Sequence, residues 1–151
     1  MARIRTVKPA LFRHEDLFEA EASTGLPIRL AYIGLFTVAD REGRFKWRPR
    51  EIKLDVLPYD DIDFSRVLDA LLTRGFVRKY MVDGKEYGWI PSFTEHQAIN
   101  GRESDSEIPS YNDADDVIGL ELTNIGPKSS CEQHDNDASS TRHCRVVHMM
   151  I

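Results

Sequence analysis

The chain has 151 residues, of which 41% are hydrophobic, and a formal net charge of -5 at pH 7. This length suits one domain of ordinary size, or a smaller domain followed by a tail. No run approaches the roughly 18 consecutive apolar residues of a membrane span, and MARIRTVKP lacks the apolar stretch of a secretory signal, so we predict a cytoplasmic protein that does not contact the membrane.

Charge is distributed unevenly along the chain. Residues 1–102 contain 17 Lys or Arg and 15 Asp or Glu, a net charge of +2, whereas residues 103–151 contain 3 and 10, a net charge of -7. A mildly basic part followed by an acidic part is typical of a nucleic-acid-binding domain with an acidic tail. We therefore predict a DNA-binding domain over residues 1–102 and a tail over residues 103–151.

Three segments carry helix signals. Residues 26–39 have Pro27 suited to a first turn and apolar residues on nearly all sides, which predicts a centrally buried helix. Residues 48–57 predict a short helix with Pro49 in its first turn.

The third predicted helix covers residues 64–74, with Asp63 as its N-cap and Gly75 in the left-handed position that ends it. Its apolar residues are spaced so that one face belongs to the core. The opposite face mostly carries Ser65, Arg66, Asp69, Thr73 and Arg74.

After Gly75 the apolar period changes to two. FVRKYMVDGKEYGWIPSF predicts two strands joined by a tight turn at Asp83 and Gly84, and GRFKW upstream predicts a third strand. The order helix, strand, helix, helix, strand, strand is that of a winged helix-turn-helix. We predict an α+β fold with a three-helix core, a small antiparallel β-hairpin wing and an irregular acidic C-terminal tail.

Several stretches resemble a known family. MARIRTVKP, IRLAYIGLFTVADREGRFKWRPREIKLDVLPYDDID and GKEYGWIPSFTEHQAIN are similar to the N-terminal winged-helix domain of phage and prophage replication initiators, also described as replisome organisers. The similarity covers about residues 1–108, and its most distinctive pieces are ADREGR, LPYDD and HQAIN. It implies binding to duplex DNA at a phage origin and recruitment of the host helicase machinery. Such initiators normally carry a further C-terminal segment for a helicase or its loader, which the tail of this chain does not resemble.

The tail has three interpretations. Its Ser, Asp, Glu, Asn and Gly content is typical of a disordered segment. An apolar patch over residues 117–125 instead fits a docking segment that folds onto a partner or back onto the basic face. A truncated or frame-shifted reading frame would leave the tail without function.

The segment RFKWRPREIK has five cationic side chains and one carboxylate. Cations at a helix start are suited to phosphate, and the free N–H groups there also attract anions. We predict phosphate contacts from Arg44, Lys46, Arg48, Arg50 and Lys53. The alternative is a solvated helix start in which Trp47 fills the core.

In a winged helix the third helix enters the major groove. Bases are therefore predicted to be read by Ser65, Arg66, Thr73 and Arg74, while Asp69 is a counter-signal because a carboxylate repels phosphate. The wing cations Lys79 and Lys85 are expected to reach a neighbouring phosphate. Its aromatic residues are expected to be core rather than base-stacking residues, namely Tyr80, Tyr87 and Trp89.

The N-terminal residues Arg3 and Arg5 have two interpretations that the sequence leaves open. They form either an arm in the minor groove of DNA or an extended segment packed on the domain.

Catalysis is not expected, because the chain contains no P-loop, GxGxxG or GxSxG motif. The acidic run Asp60, Asp61 and Asp63 is better explained as complementing a helix dipole than as a metal site. Zinc-ligand residue types occur in the tail with unsuitable spacing at Cys131, His134, His143 and Cys144. We predict no enzyme, no cofactor, no metal and no disulfide framework.

The predicted function is that of a replication-initiator type protein that docks a winged helix on duplex DNA at an origin or operator. Its implied further partners are a host or phage helicase or helicase loader. The alternative is a phage protein-interaction module that uses the same fold as a scaffold, such as an inhibitor or regulator of a host system. A homodimer on two half-sites remains open. A continuous basic stripe would favour DNA, and a basic surface neutralised by acids would favour a protein partner.

Overall fold

The computed structural model describes residues 3–118 of the chain. In chain order its elements are a 3-10 helix (Pro9–Arg13), α1 (Glu15–Thr24), α2 (Ile28–Val38), β1 (Arg44–Lys46), α3 (Pro49–Val56), α4 (Phe64–Thr73), β2 (Arg78–Val82), β3 (Lys85–Trp89), α5 (Phe93–His96), a 3-10 helix (Tyr111–Asp113) and β4 (Asp116–Ile118). Within this part of the chain no helix is both long enough and apolar enough to cross a membrane. The predicted zinc-ligand types of the tail and most of its docking segment lie outside the described residues.

The three predicted helices are confirmed as α2, α3 and α4, each within two residues of the expected bounds. Pro49 begins α3, where its locked φ suits a first turn. The backbone N–H of Ser65 donates to the Asp63 carboxylate at 3.0 Å, so Asp63 is the N-cap of α4. Gly75 follows α4 with a φ of +77°, the left-handed conformation that glycine adopts without strain.

The predicted hairpin is confirmed as β2 and β3. Its turn has φ of +51° at Asp83 and +73° at Gly84, as a type I′ turn requires. The third predicted strand, β1, pairs with β3 in an antiparallel sheet of order β1-β3-β2-β4. The described residues thus form a mixed α+β fold.

Three elements, α1, α5 and β4, were not predicted from the sequence. In α1, Leu17 and Ala20 are buried while Phe18 is exposed, so its apolar residues mark no continuous stripe. The helix is stabilised by packing on α2 and α4 instead. Two local features of the sequence do indicate the ends of α1. Glu15 places negative charge in the first turn, and Gly25 ends the helix with a φ of +68°.

The two faces of the sheet have different roles. Side chains alternate along each strand, so Phe45 and the position of Gly88 share one face, which packs on the helices. Gly88 is required there because a Cβ would run into the Phe45 ring. The opposite face, called the outer face below, follows from the strand register and consists of Arg44, Lys46, Arg78, Tyr80, Val82, Lys85, Tyr87 and Trp89.

The ordered unit extends past the predicted boundary after Arg102. Residues 103–115, called the strap below, run over the outer face, and β4 then pairs with β2. The strap is held by ion pairs and backbone hydrogen bonds, and none of residues 103–118 is buried. Because these contacts are polar, the strap can be ordered on the domain although its composition resembles that of a disordered tail.

Replacing Asp63 by alanine is expected to lower the free energy of unfolding by about 1 kcal/mol, because α4 loses its N-cap. The neighbouring exposed carboxylate of Asp61 is a matched control, so Asp61→Ala is expected to change stability by less than about 0.5 kcal/mol. Urea unfolding followed by circular dichroism measures both. Equal losses in the two variants would contradict the capping role.

Candidate nucleic-acid interface

Of the two interpretations of the N-terminal arginines, the structure has the packed one. The Arg5 side chain is only 4% exposed and donates two hydrogen bonds to the Glu103 carboxylate, at 2.7 and 2.8 Å. It also donates to the carbonyl oxygens of Phe36 and Ala39, at 3.0 Å each. Arg3 lies 3.0 Å from the same carboxylate. Both arginines are therefore occupied by internal contacts and do not form a free arm.

Glu103 is the charge that these arginines share. Its side chain is 11% exposed, and the hydrogen bonds from Arg5 hold the pKa of its carboxyl below the ordinary value. Burial acts in the opposite direction, and the charges of Arg3 and Arg41 add to the lowering. The carboxylate is thus held ionised inside a cationic cluster.

The motif ADREGR, residues 39–44, joins the domain to the strap. The Asp40 carboxylate accepts from the backbone N–H of Arg44 at 3.0 Å and from the Ser106 hydroxyl. Arg41 donates to Asp105 at 2.9 Å, and Arg44 donates to the carbonyl oxygen of Ile108 at 3.0 Å. The side chain of Arg44 therefore binds the strap, which leaves it little freedom to hold a phosphate.

The motif HQAIN, residues 96–100, joins the domain to the N-terminal segment in a similar way. Gln97 is buried, and its side chain accepts from the backbone N–H of Thr6 at 2.9 Å and donates to the Thr6 carbonyl oxygen at 2.8 Å. The carbonyl oxygen of His96 accepts from the Thr6 hydroxyl at 3.3 Å. ADREGR and HQAIN thus tie the strap and the N-terminal segment to the helical body.

The start of α3 presents cations to solvent. Lys46 and Arg50 are exposed and Lys53 is half-buried, and none of the three forms an ion pair with another described residue. Arg48 lies 3.2 Å from Glu51, but both side chains are exposed and such pairs contribute little. Trp47 stacks on Phe45 with ring centroids 6.0 Å apart. The segment therefore combines a tryptophan against the core with outward-facing cations.

The outward face of α4 has one unpaired cation among the described residues. Arg66 is exposed and has no ion pair there, whereas Arg74 lies 3.5 Å from Glu19 of α1. The Thr73 hydroxyl donates to the backbone carbonyl of Asp69 at 2.8 Å and is therefore occupied within the helix. Ser65 is half-buried at the helix start.

The two wing lysines differ. Lys79 points to the helix side of the sheet, where it lies 3.0 Å from Glu86 and 4.8 Å from the centre of the Trp47 ring. Lys85 is exposed beside the turn. The strap also places a carboxylate beside the turn of the wing, since the backbone N–H of Asp83 donates to the Asp115 carboxylate at 2.8 Å. Lys85 is accordingly the wing cation that remains available for an anion.

We call the available cations the α3–α4 cation set: Lys46, Arg48, Arg50, Lys53, Arg66 and Lys85. They stand out against an acidic background, because residues 3–118 contain 17 Lys or Arg and 21 Asp or Glu, a net charge of -4. Six of those acids and no cation belong to residues 103–118. The strap therefore reverses the sign of the net charge while it leaves these cations unpaired or weakly paired.

Sequence analysis missed Tyr111 of the strap. Its ring lies 5.2 Å from Trp89 and 5.5 Å from Tyr80, and Arg78 lies 5.5 Å from its centre. An aromatic residue within a polar, acidic stretch is the feature of the sequence that could have indicated a contact between Tyr111 and the domain. Tyr80 and Tyr87 are buried as expected, although under the strap and outside the helical core cluster.

Within the described part of the chain, no group of three or more His, Cys, Asp or Glu residues is arranged to hold a metal ion. Comparison with known proteins adds no relative, since no protein family, curated protein or solved structure matches this chain. A function for it must be argued from its own residues and their geometry.

Proposed function

We propose that the chain is a duplex-DNA-binding protein of the replication-initiator type that docks a winged helix at an origin or operator. The order α2, β1, α3, α4, β2, β3, with β1 paired to β3, supports a winged-helix arrangement. The observation that carries the proposal is the α3–α4 cation set, of which Arg48, Arg50, Lys53 and Arg66 lie at or on two helices that pack against each other. These are the elements that contact DNA in a helix-turn-helix.

Each member of the set has a role suited to its place. Arg66 lies on the outward face of α4, so its guanidinium is the candidate for bidentate hydrogen bonds to guanine. Arg48 and Arg50 lie at the N-terminus of α3, where unpaired backbone N–H groups also favour a phosphate. Lys85 at the wing tip would bind a neighbouring phosphate.

Replacing Arg50 by alanine is expected to weaken duplex binding uniformly across sequences and to lower the salt slope by about 1, because one phosphate contact is lost. Arg66→Ala is expected to lower affinity by about 10-fold or more and to relax sequence preference, because a base contact is lost. Fluorescence anisotropy with duplex DNA across a salt series measures both effects.

Arg102→Ala is the matched control for this series, because Arg102 is an exposed arginine outside α3 and α4. It is expected to leave affinity and salt slope within error of the unaltered chain. A folded chain that binds no duplex at low salt would overturn the proposal.

Recruitment of a helicase or helicase loader and pairing into a homodimer belong to the same proposal. Pairing would be tested on the DNA-bound protein, by mass measurement of the complex with one and with two half-sites, and recruitment by the mass gained when a helicase or helicase loader is added. A dimer is expected to bind the paired half-sites more tightly than either alone.

A protein-interaction module is the second candidate function. It is favoured by the net charge of -4 over residues 3–118 and by two large exposed side chains near the α3–α4 connection. These are Leu54, which is 70% exposed, and Tyr59, which is 98% exposed. Exposed apolar side chains mark interaction surfaces when they adjoin one another. The salt series separates the two functions, because this one requires no DNA affinity.

A further inference from the structure

The outer face of the sheet combines aromatic rings and cations. Tyr80 and Tyr87 are paired across β2 and β3, and their ring centroids are 5.7 Å apart. Trp89 lies two residues further along β3, opposite Arg78 on one side and Arg44 on the other. Aromatic rings flanked by cations on a sheet are suited to stacking bases and neutralising the phosphates between them.

This face is covered by the strap. The Tyr80 hydroxyl donates to the carbonyl oxygen of Pro109 at 2.6 Å, and Arg44 donates to the carbonyl oxygen of Ile108 at 3.0 Å. Tyr111 lies over Trp89 with the two ring planes at 31°. Burial beneath the strap raises the pKa of Tyr80 to about 12.

The strap presents the chemistry of a single nucleic-acid strand. Its first carboxylates pair with cations outside the outer face, Glu103 with Arg5 and Asp105 with Arg41, and its residues Tyr111–Asp113 form a 3-10 helix. Its carbonyl oxygens accept hydrogen bonds from Arg44 and Tyr80, and its one aromatic ring stacks on the sheet. Hydrogen-bond acceptors along a backbone, together with a stacked ring, are what an aromatic and cationic surface binds.

The strap is also held superficially. None of residues 103–118 is buried, so its displacement exposes little apolar surface of its own. Segments with few buried apolar contacts open at a lower free energy than the core does.

We propose that the outer face binds single-stranded nucleic acid and that strap residues 106–113 occupy this site as an internal mimic, with Tyr111 in the place of a base. The aromatic centre of this site lies outside the α3–α4 cation set, with which the outer face shares only Lys46 and Lys85, and binding there does not depend on duplex binding. Displacement of the strap would expose Tyr80, Tyr87 and Trp89 together.

The test uses the full chain and fluorescein-labelled oligo(dT) and oligo(rU), followed by anisotropy at low salt. Tyr111→Ala is expected to bind at least one of them about 10-fold more tightly than the unaltered chain, because the competing ring is removed. Asn112→Ala is the matched control, since Asn112 is the exposed neighbour on the same strap, and is expected to show no gain. Adding Trp89→Ala to Tyr111→Ala is expected to abolish the gain.

Two further measurements make the result decisive. In the unaltered chain, saturating oligonucleotide is expected to increase hydrogen exchange at the Asp115 amide, which bonds the Met81 carbonyl at 2.9 Å. Arg66→Ala is expected to weaken duplex binding without changing oligonucleotide affinity, which separates this site from the duplex site. The proposal is overturned if folded Tyr111→Ala binds neither probe more tightly, if bound oligonucleotide leaves the Asp115 amide protected, or if no folded variant binds.

Discussion

Replacing Glu103 by glutamine is expected to lower the free energy of unfolding by about 3 kcal/mol at pH 7, because the Arg5 guanidinium then stays buried without a counter-charge. The Arg5 side chain is 4% exposed, and Glu103 provides its only carboxylate among the described residues. Removal of one partner of a buried pair costs more than the pair contributes, since the remaining charge has lost both its water and its partner. Urea unfolding measures the loss.

The exposed carboxylate of Glu107 is the control for this prediction, because it lies on the same strap. Glu107→Gln is expected to change stability by less than about 0.5 kcal/mol. A similar small change in Glu103→Gln would show that the cluster contributes nothing beyond surface charge.

The same pair predicts a pH dependence of stability. Since the folded-state pKa of Glu103 lies below its ordinary value, the unfolded chain takes up this proton first as pH falls. Its contribution is therefore complete above the ordinary glutamate pKa of about 4.3 and is lost as pH falls through the folded-state pKa. The difference in stability between the unaltered chain and Glu103→Gln should shrink over that range.

Replacing Gly43 by alanine is expected to lower the free energy of unfolding by about 2–5 kcal/mol, since two separate costs add. Gly43 has a φ of +79°, which strains any residue with a Cβ. An added Cβ would also lie 2.6 Å from the Cβ of Phe93 and 3.1 Å from the carbonyl oxygen of Ile90. Thermal and urea unfolding measure the loss.

Gly75 separates these two costs. Its φ of +77° is nearly the same, but nothing lies within 4 Å of an added Cβ. Gly75→Ala is therefore expected to show the conformational cost alone, about 1–2 kcal/mol. If both variants lose the same free energy of unfolding, the close approach of Gly43 to Phe93 contributes nothing to the loss in Gly43→Ala.

The contacts of ADREGR and HQAIN, two of the three most distinctive pieces of the family resemblance, change what that resemblance supports. Asp40 and Arg44 of ADREGR bind the strap, and Gln97 of HQAIN binds the N-terminal segment. These residues hold the strap and the N-terminal segment on the domain, which is a structural role. The proposal of duplex binding rests on the α3–α4 cation set instead, whose side chains have no such internal role among the described residues.

The strap bears on both proposed functions. Its five carboxylates lower the net charge of residues 3–118 without pairing with Arg50 or Arg66. It therefore weakens long-range attraction to nucleic acid while the local cations stay available. Release of the strap would raise the affinity for duplex as well, with a salt dependence that identifies this electrostatic part.

The sequence by itself determined α2, α3, α4 and the hairpin, because their signals are local. Pro49 sets φ at a helix start, Asp63 caps α4 within two residues, and Asp83-Gly84 provides the two positive φ values of the turn. Each depends on neighbours in the chain and on little else. Such elements can be predicted without knowing what they pack against.

Only the tertiary structure decided which arginines face solvent and where the acidic segment lies. Arg5 and Arg50 belong to equally basic stretches, yet Arg5 is buried on Glu103, 98 residues away, and Arg50 is exposed. The strap is ordered by partners such as Tyr80 and Arg44, which are 29 and 64 residues distant. Charge pairing and hydrogen bonding at such separations have no periodicity, so the sequence leaves the arm and the packed segment open as alternatives and predicts a tail for the acidic residues.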